Sequence, residues 1–300
     1  MIGASQYAAA GYSPLTLETH LHTLHSDGRD SVEAMLDACA AAGYDAVAVT
    51  DHNTVSGLPE ARLAARARGL ILVDGVEVTT FRGHSVVLGV SRTPEWRDLE
   101  TRGMDDLAEQ VHVEGGLMCI SHPVRLGSPW CSGCAWEWPI RPAAPDLWEV
   151  FSAPHPGFPH ADASLRVWRD CLAGGGRAAP VGAGDVHTTE TANQQRPATY
   201  VWVSERSGRG VLDALRHGRT SAGSQPLEFW LERDGQLAVA GEQVRGDGWR
   251  PHAGDGTSVQ GVEVPGGRCL YAERRRQDGS LLAISAPIWI ATSTADDTRV

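Results

Sequence analysis

Thr19-His20-Leu21-His22-Thr23-Leu24-His25-Ser26-Asp27 is the stretch on which the reading of this chain turns. The alternating run that begins at Leu15 predicts a β-strand, in which residues two apart face the same side, so His20 and His22 share a face. Two imidazoles on one face can hold one metal ion. Taken alone, the pair also fits two surface histidines or the end of an amphipathic strand. The rest of the chain argues against both: Asp51-His52 follows an apolar strand, and Glu77, His84, His122 before Pro123, and Asp185-Val186-His187 recur in the same kind of place.

Working outward, Asp30 to Ala42 predicts a helix, with Asp30 as cap, Glu33 in the first turn and Val32, Leu36, Cys39 and Ala40 on one face. Ala46-Val47-Ala48-Val49-Thr50 is then a short, continuously apolar strand of the kind buried on both faces of a parallel sheet. This is one βα repeat, and the pattern continues. Helices are expected at Pro59–Arg68, Asp105–Val113, Asp162–Ala173 and Gly208–His217. Strands are expected at Leu70–Val73, Gly75–Val78, Gly83–Gly89, Leu117–Ser121, Leu147–Phe151, Pro180–Gly184 and Thr199–Val203.

Between His122 and His160 the helical period is lost. The segment carries Trp130, Trp136, Trp138 and Cys131-Ser132-Gly133-Cys134, and is expected to form a lid or wall over the site. Cys131 and Cys134 read as a structural pair or as a metal or redox motif. Beyond Gly223 only β-like segments appear, at Leu227–Leu231, Leu237–Val239, Val259–Val264, Cys269–Arg274 and Leu281–Ile290, with the last ten residues expected to fray. The expected organisation is an α/β unit over residues 1–224 and a small all-β unit over 225–300.

The formal net charge is −11, and every basic side chain apart from histidine is arginine, because the chain contains no lysine. That balance lacks the positive field of a nucleic-acid binder. The missing lysine also excludes a Walker-type phosphate loop, a Schiff base and a carbamylated lysine bridging two metals. A bridge between ions would have to be a carboxylate or solvent. No apolar run approaches the roughly 20 residues needed to span a membrane, and the N-terminal residues lack a signal-peptide pattern. A cytoplasmic protein with no membrane partner is expected.

Nine residues then stand out: His20, His22, Asp27, His52, Glu77, His84, His122, Asp185 and His187. Most follow predicted strands, where α/β folds place their active sites. Nine ligands exceed the four of a structural zinc site. Two or three divalent ions about 3.5–4 Å apart are implied. Zinc, manganese or iron suits the mixture of imidazole and carboxylate. Arg82, Arg125 and Arg196 are candidate clamps for a phosphate group. His25 fits no ligand position and reads as a supporting or surface residue.

These phrases resemble the polymerase and histidinol phosphatase (PHP) family: His20-Leu21-His22 with Asp27, Thr50-Asp51-His52, Gly75-Val76-Glu77-Val78, Gly83-His84, Ser121-His122-Pro123 and Gly184-Asp185-Val186-His187. Gly75 to Thr80, Gly83-His84 and Ala286-Pro287-Ile288-Trp289 are similar to its CehA/McbA-type branch. The resemblance covers about residues 15–223. It implies a distorted (β/α)7 barrel of PHP type with a small C-terminal all-β module.

It also implies a metal set of His20, His22, Glu77 and Asp185, a second of Glu77, His84 and His122, and a third of Asp27, His52 and His187. The expected nucleophile is water activated by the ions. The expected activity is hydrolysis of a small phosphate ester. The alternative is a carboxylic ester, carbamate or amide, with the stretch from Trp130 to Trp148 lining an aromatic pocket.

Overall fold

Ala46-Val47-Ala48-Val49 shows how the strands come to lie between two layers. Ala46 and Ala48 pack with Leu15, Leu17, Val73 and Leu88, whereas Val47 and Val49 pack with Met35, Leu36, Cys39, Leu58 and Ala61. A strand buried on both faces shows no polar alternation. The covering helices here are Val32–Ala41 and Leu58–Arg68. The first is capped by Ser31, whose hydroxyl accepts the Ala34 N–H, and not by Asp30 as expected. Asp30 instead accepts the N–H of Thr189, in the segment that follows the last parallel strand.

The computed structural model describes residues 5–127, 129, 131–141, 144–152, 160–192 and 197–292. Trp130, Arg196 and the last eight residues, expected to fray, lie outside them. Nine strands build the α/β part: β1 (Ser13–Glu18), β2 (Ala46–Val49), β3 (Ile71–Thr80), β4 (Gly83–Leu88), β5 (Leu117–Ile120), β6 (Leu147–Phe151), β7 (Ala179–Gly182), β8 (Ala198–Val203) and β9 (Thr220–Gly223). The two strands expected around Asp74 are one continuous strand, β3.

Strands β1 to β7 are hydrogen-bonded in chain order. All run parallel except β4, which is antiparallel to both neighbours. The ring closes at its carboxyl end, where the His22 N–H donates to the Val186 carbonyl at 2.8 Å and the Val186 N–H to the His20 carbonyl at 3.1 Å. Below that seam β8, antiparallel to β1, wedges against β7. The Thr199 hydroxyl donates to the Gly182 carbonyl at 2.8 Å and accepts the Gly182 N–H at 3.0 Å. This is an α/β fold that resembles a distorted PHP-type barrel.

The C-terminal part is β-rich, as expected: β10 (Phe229–Arg233), β11 (Gln236–Val239), β12 (Gln243–Arg245), β13 (Arg250–Ala253), β14 (Thr257–Val264), β15 (Gly267–Arg275), β16 (Leu281–Ser285) and β17 (Ile288–Ala291). Its pairings are antiparallel except for the short β12–β17 contact. The single strand expected over Leu281–Ile290 breaks at Pro287, which has no N–H for a ladder. Its halves flank opposite edges of β15. Strand β16 pairs with β9, so one sheet runs from the ring into the module. No helix among the described residues is long and apolar enough to cross a membrane.

Candidate metal centre

The carboxyl ends of the ring strands carry the nine residues to one place. His20 and His22 follow β1, Asp51-His52 follows β2, Glu77 lies within β3, His84 starts β4, His122 follows β5 and Asp185 follows β7. Two of these positions need unusual backbone. His122 has φ +29° and Asp185 φ +46°, and Asn53, next to His52, has φ +53°. Such conformations cost about 1–3 kcal/mol each in non-glycine residues and persist where the surroundings hold them. Asn53 is held by its amide, which donates to the Thr79 carbonyl at 3.1 Å and accepts the Thr79 N–H at 2.9 Å.

Glu77 is fully buried at the middle of the cluster. Its Oε2 lies 3.2 Å from His20 Nε2 and 3.3 Å from His22 Nε2. Its Oε1 lies 3.2 Å from both His84 Nδ1 and His122 Nε2. Oε2 also lies 2.8 Å from His52 Nδ1, so the two oxygens of one carboxylate face two different groups of imidazoles, His20, His22 and His52 on one side and His84 and His122 on the other. Asp185 completes the first side, with Oδ1 3.5 Å from His20 Nε2 and 3.2 Å from His22 Nε2.

A third group lies outward. Asp27 Oδ1 is 3.3 Å from His187 Nε2, 3.5 Å from His52 Nε2 and 3.7 Å from His22 Nδ1. The Asp27 side chain is 56% exposed while His20, His22 and Glu77 are sealed, so the cluster opens to solvent on that side. His25 stays out of it, with Nδ1 2.8 Å from the Ser56 hydroxyl.

The donor set fits cations. His20 Nε2, both ring nitrogens of His22 and His84 Nε2 are buried with no hydrogen bond of regular geometry among the described residues. Each such atom costs about 1–3 kcal/mol if nothing matches it. Four groups of three or four donors, each with its ligand atoms within 4.8 Å of one another, converge here: His22, Asp27, His52 and His187; His20, His22 and Asp185; His20, Glu77 and His122; and His52, Glu77 and His84. That grouping is consistent with two or three divalent ions.

The charge pattern agrees. Burial opposes ionisation of Glu77, but the His20 charge and the His122 hydrogen bond outweigh it and hold the carboxyl well below its usual range. Asp185 is likewise held low, against burial, by His20 and Arg125. His52 is pushed up to about 10, because hydrogen bonds to Asp27 and Glu77 outweigh its burial. His52 is therefore protonated at neutral pH when nothing else balances the carboxylates, and an imidazole ligand must be neutral.

Metal uptake at pH 7.5 is thus expected to release protons, and affinity to rise with pH towards about 10. Calorimetric titration of the metal-free protein in buffers of different ionisation heat checks this. In the metal-free protein the His52 ion pair has the opposite sign. Its stabilisation is complete below the unfolded value of 6.5 and is lost as pH rises through about 10.

Several supporting groups were not foreseen. Asp51 accepts the Thr23 N–H and the hydroxyls of Thr23 and Ser26, shaping the loop that carries Asp27. His52 Nδ1 is 2.6 Å from the Thr79 hydroxyl. Glu18, pushed up to about 7 by burial against the N–H groups of Gly184 and His20, ties the two sides of the seam. Glu149 touches both His20 and His122. The available signal for Glu18 and Glu149 was a lone acid in an otherwise apolar strand.

The excursion after β5 walls one side. Gly133 packs so closely that a Cβ there would lie 2.0 Å from the Thr80 carbonyl oxygen and 3.2 Å from His84 Nε2. Cys131 and Cys134 are joined as a disulfide, and the Cys134 carbonyl is 3.0 Å from His122 Nδ1. Trp138 donates to the Thr80 hydroxyl, and the Arg82 guanidinium lies over its ring at 4.4 Å. Trp148 faces elsewhere: it is core, bonded to the Ser164 hydroxyl, and not part of an aromatic pocket. Of the candidate clamps, Arg125 reaches the cluster, where its Nη1 donates to Asp185 Oδ2. Arg82 is engaged with Trp138 and the Glu137 carbonyl.

Comparison with known proteins places this geometry. Residues 18–119 match the PHP domain family model. A phosphoribosyl 1,2-cyclic phosphate 1,2-diphosphodiesterase of Eggerthella lenta is 36% identical over 77 residues, 24% of this chain and 29% of that protein. A 5'-3' exoribonuclease of Haemophilus influenzae is 36% identical over 103 residues, 33% of this chain and 38% of that one. A 3',5'-nucleoside bisphosphate phosphatase of Chromobacterium violaceum is 37% identical over 78 residues, covering 25% and 27%. These matches span well under half the length of each relative.

Among solved structures, a two-domain protein of Bacteroides vulgatus, described as containing a predicted PHP-like metal-dependent phosphoesterase, superposes with a TM-score of 0.58 at 19% identity. The superposition covers 88% of this chain and 76% of that one. This chain therefore has an α/β fold resembling that of PHP-domain metal-dependent hydrolases, with a cluster of side chains at one rim of its ring that could hold metal ions.

Proposed function

We propose that the protein is a phosphoesterase acting on a small phosphate ester. The observation that carries this reading is Glu77, whose two oxygens face separate groups of imidazoles at 2.8–3.3 Å, as a carboxylate bridging two ions would. The proposed sets are His20, His22, Glu77 and Asp185; Glu77, His84 and His122; and Asp27, His52 and His187. Zinc, manganese or iron ions, when bound, lower the pKa of water and neutralise charge on the attacked group and the leaving oxygen.

The chain's own residues do the rest. Asp185 holds Arg125 at the edge of the first set, where the remaining donors of its guanidinium suit a non-bridging phosphoryl oxygen. Gly133 brings the backbone after β5 against His84 and excludes water from that side. The exposed flank of Asp27 leaves an entrance for substrate. The names of the three curated relatives all denote cleavage of phosphate esters, which supports the same reading.

The test is a panel of nucleotides, sugar phosphates, aryl phosphates and matched aryl esters and carbamates, assayed with the metal-reconstituted full chain. Turnover confined to carboxylic or carbamate esters would overturn the proposal. That second reading draws on the aromatic wall of Trp136 and Trp138 against Gly83, and on the likeness to CehA/McbA-type sequences. Within the phosphoesterase reading, Arg125→Ala is expected to lower kcat/KM about ten- to a hundredfold, the worth of one hydrogen bond to a charged group. Arg125→Lys should fall between, because lysine has no bidentate fork.

A further inference from the structure

We propose that Glu149 is a positioning residue: its two oxygens fix which nitrogen His20 presents to the cluster and hold the backbone from which His122 projects. Glu149 lies in β6 and is 1% exposed. Its Oε1 is 2.8 Å from His20 Nδ1, and its Oε2 accepts the His122 backbone N–H at 2.6 Å. A carboxylate oxygen can only accept, so Nδ1 carries the His20 proton. Nε2, on the opposite side of the ring, 3.2 Å from Glu77 and 3.5 Å from Asp185, is the nitrogen left to give up its proton to an ion.

His122 stands at φ +29°, and two bonds hold it there. One is the Glu149 contact to its N–H, and the other joins its Nδ1 to the Cys134 carbonyl at 3.0 Å. His20 faces one oxygen of Glu77 and His122 the other. A single carboxylate outside the nine residues therefore orders both halves of the inner centre. Among the described residues it makes no hydrogen bond to Asp27, His52 or His187. Glu149 is not itself a ligand in this arrangement, because the His20 ring stands between it and Glu77.

The inference rests on the metal-centre reading above, and its test separates the two. Glu149→Gln keeps the volume but has one accepting oxygen for two N–H donors. Whichever contact the amide oxygen keeps, its NH2 group opposes the other donor, and facing His20 it favours the tautomer with a proton on Nε2. Full-length wild type and Glu149→Gln would be stripped of metal and titrated with Mn2+ or Zn2+ against a chromogenic chelator. Imidazole 15N spectra of the histidine-labelled, metal-free proteins, recorded at a pH high enough that His20 has lost the extra proton its carboxylate neighbours hold on it, would report the His20 tautomer.

The expected result is about ten- to a hundredfold weaker binding of the inner ions, unchanged binding at the Asp27 set, and a switch of His20 from Nδ1–H to Nε2–H. Unchanged inner affinity, or equal weakening of every ion together with a lower melting temperature, would overturn the positioning role. So would a wild-type His20 protonated on Nε2. If the wild type bound no divalent ion, the metal-centre reading would fall, and the tautomer comparison alone would decide whether Glu149 sets His20.

Discussion

Glu77→Gln is expected to lower turnover at least about a thousandfold and to cut the bound metal to the outer ion. The substitution keeps the volume of a fully buried side chain, so packing around β3 is unchanged. What it removes is the charge, and with it the second oxygen. In the wild type, Oε2 faces His20, His22 and His52 while Oε1 faces His84 and His122. A glutamine offers one oxygen and turns an NH2 group toward the other pair. Two ions that shared a negative bridge would then face each other across a neutral amide. Elemental analysis beside the kinetics distinguishes this from simple misfolding, because Asp27 and His187 do not touch Glu77 and His52 keeps its Nε2 contact to Asp27. Full metal content with full turnover would remove Glu77 from the centre.

Stripping the metal with a chelator is expected to abolish activity and lower the melting temperature by on the order of 10 °C. The second figure follows from linkage, since an ion present at a thousand times its dissociation constant stabilises the folded chain by about 4 kcal/mol. The cluster shows where that energy resides. Asp27, Glu77 and Asp185 converge in space that is largely closed, and without a cation they are balanced by imidazolium groups such as His52, held protonated up to about 10. That substitute weakens as pH rises. The gap between loaded and stripped protein should therefore widen from pH 6.5 to pH 9, measured by scanning calorimetry with and without EDTA. A gap that narrowed over this range would contradict the protonation assigned to His52.

The nine candidate ligands stand out in sequence because of where they lie. Repeated βα units put every parallel strand end on one rim, so polar residues at those ends meet whatever their separation along the chain. Glu149 was not legible for the converse reason. In Leu147-Trp148-Glu149-Val150-Phe151 it reads as one acid in a strand, and its role appears only when β6 lies beside β5 and faces β1, 129 residues away from its partner His20. The same holds for Trp148, which sequence groups with the other tryptophans but strand alternation turns into the core. The C-terminal strands at Gln243 and Arg250 were missed because their side chains are polar and one contains proline. They form because neighbours supply the ladder.

The seam between the ends of β1 and β7 has a consequence for how the chain is completed during synthesis. His20 and His22 are made early by the ribosome, while Asp185 and His187 emerge some 165 residues later, yet the two pairs are joined through the same few backbone contacts. A nascent chain that has not yet exposed Val186 can hold only a partial coordination shell. Any donor set that includes Asp185 or His187 is therefore complete only after the segment following β7 has joined the end of β1.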